Sequence, residues 1–389
     1  MSYQCVNNDR KIYLKRDSIK TINSLERMVF DFDGVMVYTS QSFRRAIRNV
    51  VDHYFLNILG FEGESGKLIS FEDIQKFKDI GLYNNDWVLS YGAITYYLSI
   101  IMRKMQGNVL QNIREQLDDG QYSKLSSFLE VLQDIGCLFR NHGIDISKLV
   151  KLKNDDTWGL TRFLALIKEQ GEPLEAPFLS DCYSNNNLIR KMIPYSLDDP
   201  DLLKRLFEEI YLGKELYSRF YAQPSIFKFD ESLLENEILI PNEETLDFLY
   251  QKYGKLQIYS ERVRAQGIYV IEKNHLNDYF DLERSVFVDD LIAFSKNYEC
   301  PDFGKPNPAP FIKHIEKYVD KHQLLAYVGD SIADALLIKN VRMKGIKNVL
   351  FFGVLSSSHD PDLLISKFIE CGANAVMTNI NDISHLLTR

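Results

Sequence analysis

Apolar positions change rhythm twice along the chain and divide it into three stretches. After a polar lead, Met28-Val29-Phe30 forms a short apolar run that stops at Asp31-Phe32-Asp33-Gly34. A brief run halted by acid and glycine reads as a buried strand feeding a loop. From residue 42 to 241 the spacing turns helical. Leu125, Phe128, Leu129 and Leu132 recur at i, i+3, i+4 and i+7, and Leu202, Leu203, Leu206, Phe207 and Ile210 repeat the pattern. Polar stretches at Lys151–Asp156 and Ser184–Asn187 are expected to interrupt the helices. From Pro241 onward, strand-length runs alternate with helical patterns. Strands are predicted at Leu256–Tyr259, Ser285–Val288, Leu324–Val328, Asn348–Phe352 and Ala375–Met377, and helices at Val263–Lys273, Ala309–Lys321 and Ala333–Lys339. Such alternation predicts an α/β architecture, a parallel sheet covered by helices, with ligands beyond the carboxyl ends of the strands. The expected organisation is a discontinuous core, 1–41 with 242–389, and a mostly α-helical unit at 42–241.

Composition mainly excludes. At 389 residues the chain is long for one average domain, which agrees with two. A hydrophobic fraction of 45% and a charged fraction of 26% are those of an ordinary globular protein. The net charge of -8 argues against nucleic acid or an anionic membrane as partner, though a local basic pocket for a small anion remains compatible with it. Cys5, Cys137, Cys182, Cys300 and Cys371 include no C-x-x-C pair, so free thiols in a reducing compartment are expected. The opening residues lack the apolar segment of a signal peptide, and Ala93–Met102 is too short and too polar to span a bilayer. A cytoplasmic location is the expectation; the oligomeric state is open.

The candidate chemistry gathers at predicted strand ends. Asp31 and Asp33 are two apart, so on extended backbone their carboxylates point the same way and repel unless a cation or proton intervenes. Hard oxygen ligands favour magnesium over zinc, while a plain acidic strand end is the alternative. Asp330 and Asp334, in YVGDSIAD, sit where a strand gives way to a helix. Capping and a favourable charge at the helix start explain one of them but give no reason for the second pair of acids. Lys305, in FGKPNPAPF, is held by alternating prolines and is suited to a phosphate; a solvated surface lysine is the competing reading. Ser260 follows a strand, where a hydroxyl and nearby N–H groups can hold a phosphate oxygen or simply form a turn.

MVFDFDGV, LQIYSER, GKPNPAPF and YVGDSIAD, in that order, resemble the four motifs of the haloacid dehalogenase-like superfamily, and ANAVMTNINDISHLL resembles its closing strand and helix. The resemblance implies a Rossmann-like core with a cap inserted after the first strand. It implies that Asp31 is a nucleophile forming an aspartyl-phosphate and that Asp33 protonates the leaving oxygen and then activates water. Ser260 and Lys305 would bind the transferred phosphoryl group. Asp31, the backbone carbonyl of Asp33, and Asp330 would ligate Mg2+, with Asp334 helping through the metal shell. An acid at position 33 is a mark of the family's phosphatases and phosphomutases. A phosphomonoester hydrolase acting on a small phosphorylated metabolite is therefore favoured, with a sugar-phosphate mutase or a non-catalytic binding protein as alternatives.

The middle region is much larger than caps typical of the family. Within it, the stretch from Lys76-Phe77-Lys78 to Asn84-Asn85-Asp86-Trp87 resembles a substrate-facing segment, with Asn85, Asp86 and Trp87 its candidates; a helix start and cap core is the structural alternative. Glu208–Gly213 resembles a cap helix ending at the glycine. The chain departs from the family at Glu261, a carboxylate beside the phosphate site that is expected to point away or to pair with Arg262.

Overall fold

The computed structural model describes residues 3–7, 12–39, 41–83, 85–118, 125–179, 183–195, 202–298, 303–320, 322–358 and 360–388. Asn84, Cys182 and Cys300 lie outside them; Cys5, Cys137 and Cys371 are free thiols. The chain separates into two units, Met1–Gln41 with Asn236–Arg389, and Ser42–Glu235.

The first unit is built on a seven-stranded sheet. Its strands are β1 (Tyr3–Asn7), β2 (Ile12–Lys15), β3 (Arg27–Phe30), β6 (Gln257–Ile258), β7 (Leu325–Gly329), β8 (Val349–Val354) and β9 (Ala375–Met377). Two further short strands, β4 (Val37–Tyr38) and β5 (Ile238–Leu239), pair antiparallel in a separate ribbon. The sheet order is β1-β2-β9-β8-β7-β3-β6, and β6, β3, β7, β8 and β9 run parallel. β7 and β8 are buried at every position, as apolar strands covered on both faces must be. Phe30 is level with Ile258 and with Val328, and Gly329 with Gly353, so the residues after these strands emerge along one edge.

One expectation for this unit needs correction, and the polar lead adds strands for which no element was predicted. The polar lead carries structure: Ile12 and Leu14 alternate inward, and β2 pairs antiparallel with β9. The predicted strand Ser285–Val288 amounts to a single bridge between Val286 and Tyr259. The Asp290 carboxylate accepts from the Phe287 N–H at 2.8 Å and starts the helix Val288–Tyr298 one residue later.

The second unit is helical. Its centre is Asp86–Lys104, buried continuously from Leu89 to Met102, so the apolar run at Ala93–Met102 is a core helix. Two of its buried tyrosines satisfy their hydroxyls on backbone carbonyls: Tyr96 donates to that of Trp158 at 3.0 Å and Tyr83 to that of Pro173 at 2.9 Å. Ser184–Asn187 does not interrupt a helix but lies inside Tyr183–Met192. There Leu188, Ile189 and Met192 bury one face, and packing outweighs the weak helix preference of asparagine. At Gly213 (φ 68°, ψ 168°) the backbone leaves the helix, as expected for a helix ending at the glycine, and a second helical piece follows at once to Tyr221. No helix among the described residues is long and apolar enough to cross a membrane.

Candidate active site

Asp31 follows the last residue of β3. Its N–H donates to the Val328 carbonyl of β7 at 2.8 Å, and its Oδ1 accepts from the Phe32 N–H at 2.7 Å. The chain turns at once, with the N–H groups of Met36 and Val37 both donating to the Phe32 carbonyl. Gly34 makes the turn at φ +73°, and a Cβ there would lie 1.8 Å from Asp330 Oδ2. Asp330 itself follows β7, and Ser331 caps the helix Ile332–Met343 in a reciprocal capping box with Asp334.

Asp31, Asp330 and Asp334 each present one carboxylate oxygen, and these lie within 4.8 Å of one another. Lys305 Nζ is 2.8 Å from Asp31 Oδ2 and 2.8 Å from Asp334 Oδ1. Asp334, wholly buried, also accepts from the Tyr327 hydroxyl at 2.9 Å and from the Ser331 N–H and hydroxyl at 3.0 and 2.6 Å. Both its oxygens are therefore engaged. Burial, opposed by Lys305 and reinforced by the neighbouring acids, raises the Asp31 pKa well above the usual carboxylate range. Burial and then repulsion from Asp334 bring Asp330 to about 7. Burial alone would depress Lys305, but attraction to Asp31 and Asp334 outweighs it and keeps the ammonium charged. With three acids facing one cation, a formal surplus of two negative charges is concentrated in a buried site. Oxygen donors with that surplus fit a hard divalent cation.

The Asp33 carboxylate is not among the oxygens gathered there, though its charge helps to raise the pKa of Asp31 and of Asp330. Its Oδ1 accepts from Arg262 Nε at 2.9 Å and Nη2 at 2.5 Å. Ser260 is buried at the end of β6, and its hydroxyl accepts from the Arg262 N–H at 3.2 Å. Glu261 Oε1 accepts the Lys305 N–H at 2.5 Å, so this carboxylate supports the lysine loop while Arg262 reaches Asp33 and Glu237. The loop after β8 adds Ser356, whose hydroxyl donates to the Gly34 carbonyl at 2.6 Å, and Ser357, whose hydroxyl lowers the Asp330 pKa. Sequence reading missed both serines, and also Tyr327 and Glu237. The available signal was the Ser356-Ser357-Ser358 run directly after an apolar strand.

In the helical unit, Asn85 caps Asp86–Lys104 by accepting from the N–H groups of Trp87 and Val88. Asp86 pairs with Lys78 at 2.8 Å. Trp87 Nε1 donates to Glu208 at 3.1 Å, and Lys204 lies over its ring at 4.5 Å. All three residues have local work that needs no substrate.

The architecture is a parallel-sheet core interrupted after its first core strand by a helical unit. No protein-family model matches the chain, and no curated protein is significantly similar to it. A structural-genomics target of the Northeast consortium, known from its X-ray structure, is 17% identical with a TM-score of 0.62, covering 94% of this chain and 98% of that one. A phosphatase from Thermococcus thioreducens is 16% identical at a TM-score of 0.44, over 88% and 98%. A family IA hydrolase from Entamoeba histolytica is 13% identical at a TM-score of 0.37, over 94% and 98%. At such identities the first likeness bears on fold alone, and the other two are too distant to bear on it.

Proposed function

We propose that the chain is a magnesium-dependent phosphomonoester hydrolase working through Asp31. The observation that carries this reading is the gathering of Asp31, Asp330 and Asp334, the first and last of them 2.8 Å from Lys305 Nζ, with a formal surplus of two negative charges. Asp31 and Asp330 would hold Mg2+ directly. Asp334, whose oxygens already serve Lys305, Tyr327 and Ser331, would act through the metal shell and by fixing the lysine. When bound, the ion supplies charge neutralisation that lets an anionic nucleophile approach an anionic phosphate.

Asp31 attacks phosphorus, the bond to the leaving oxygen breaks, and that oxygen takes a proton from Asp33. Water then attacks the aspartyl-phosphate and gives its proton to Asp33, releasing phosphate and restoring the Asp31 carboxylate. Lys305 and Ser260 hold the phosphoryl oxygens, positioning and neutralising charge rather than forming bonds. The substrate class is a small phosphorylated metabolite.

The test is phosphate release from p-nitrophenyl phosphate and a metabolite panel, with Mg2+ or with EDTA. Asp31→Asn is expected to abolish release, and chelation to stop it reversibly. Undiminished activity in Asp31→Asn would falsify the nucleophile assignment.

A further inference from the structure

Arg262 is a charged group beside Asp33 that the proposed chemistry leaves without a task. Its side chain is fully buried, with 0% exposure, and sits between two carboxylates. Nε and Nη2 both donate to Asp33 Oδ1, at 2.9 and 2.5 Å. Nη1 reaches Glu237 Oε2 at 2.8 Å and Nη2 reaches Glu237 Oε1 at 3.1 Å, a two-point grip on a carboxylate that is itself 1% exposed. The guanidinium also lies 5.2 Å from the centre of the Phe32 ring. Glu237 directly precedes β5, whose partner β4 closes the turn that carries Asp33. The backbone of that turn is thus tied by the ribbon and its acid by the arginine.

We propose that Arg262, held by Glu237, is a positioning residue for Asp33, aiming its carboxylate for proton transfer to and from the oxygens that enter and leave. A planar guanidinium locked by one carboxylate is a preorganised donor, and the second carboxylate inherits its fixed direction. Glu237 has a second effect. It balances the arginine's charge, so Asp33 meets a nearly neutral pair rather than a bare cation. A lysine in the same place offers one point charge on a flexible stem and would hold direction poorly. The inference rests on the phosphotransfer reading, because it gives Arg262 a purpose only if Asp33 moves protons.

The test separates steps that need a proton from the one that does not. p-Nitrophenolate leaves as a stable anion, so forming the aspartyl-phosphate from p-nitrophenyl phosphate needs no acid, whereas its hydrolysis still needs a base. Rapid mixing of the Mg2+-loaded full chain with this substrate should show, for Arg262→Met, a burst of about one equivalent of p-nitrophenolate. Its rate constant should stay within about threefold of wild type, while the steady-state rate falls on the order of 100-fold, as expected for lost acid–base catalysis. With glycerol phosphate, whose leaving oxygen must be protonated, Arg262→Met should give no burst and little turnover. Arg262→Lys should recover only part of the loss. Burst and steady state falling together would mark Arg262 as a general structural support and overturn the proposal; so would an Arg262→Met enzyme with wild-type turnover of both substrates. Should Arg262→Met fail to fold, Glu237→Gln, which keeps the side chain's shape but removes one of the two acceptors of the grip, must show the same split between burst and turnover, or the proposal falls. Loss of the parent reading looks different, because wild-type protein would then release no phosphate from either substrate and Asp31→Asn would change nothing.

Discussion

Gly34 shows how little freedom the site leaves a single residue. Its φ of +73° disfavours any side chain, and a Cβ would stand 1.8 Å from Asp330 Oδ2 and 2.6 Å from Ser357 Oγ. The clash falls on the very carboxylate proposed to hold the cation. Gly34→Ala is therefore expected to cost at least about 100-fold in phosphate release, the scale of an ångström-sized misplacement of catalytic groups. Circular dichroism should meanwhile show the fold retained. An alanine variant with wild-type kinetics would mean that the turn and Asp330 can move apart freely. At this scale much was legible beforehand, since Asp31 and Asp330 each follow a strand that a short apolar run marks out, Asp334 falls in the first turn of the next helix, and prolines mark the loop of Lys305. Arg262 was legible only as a neighbour of Glu261. Its true partners, Asp33 and Glu237, are 229 and 25 residues away, and spacing along a chain carries no information about contacts of that range.

Among the elements, the helix Pro308–Tyr318 follows the lysine loop directly and carries an unusual histidine. His314 is 5% exposed, packs against Tyr259, Phe311 and Tyr318, and finds no hydrogen-bond partner for either ring nitrogen. Burial lowers its pKa from 6.5 to about 4. An unfolded chain therefore takes up this proton first as the pH falls, and stability drains away between about 6.5 and 4, by up to roughly 3 kcal/mol for this one group. His314→Leu should raise the melting temperature and flatten its decline over that window, measured by thermal melts across pH. A slope left intact by the leucine would assign the acid sensitivity elsewhere. Elements with a strong rhythm, such as β7, β8 and the helix Ile332–Met343, were readable in advance. Those decided by one contact were not. Val286 would extend a strand if the Asp290 carboxylate did not end it, and β1 with β2 become strands only because β9 offers an edge.

At the scale of the whole molecule, the two units draw on separate cores. Ser42–Glu235 packs Phe77, Tyr96 and Phe178 around Phe163 within its own segments, and its buried Glu209 is satisfied by Arg205, Ser225 and the N–H groups of Ile226 and Phe227. A fragment covering 42–235 is accordingly expected to fold alone, giving a strongly helical spectrum and a cooperative melt. A broad, non-cooperative transition would show that its core is incomplete without the rest. This unit was the least legible part of the chain. Helical periodicity announces that a face is buried, yet not against what, and the segment Asn85-Asp86-Trp87 could be read equally as a helix start or as a substrate contact.

The pairing of β2 with β9 sets a timetable for biosynthesis. Tyr13 lies opposite Val376, and the Tyr3 hydroxyl donates to the Ala373 carbonyl across 370 positions of sequence. A ribosome makes the first partner long before the second, so β2, already paired with β1 on one side, must wait with its other edge open until β9 emerges. The outer margin of the sheet is thus sealed only once β9 has emerged, and until then that edge is open to capture by a chaperone or by another nascent chain.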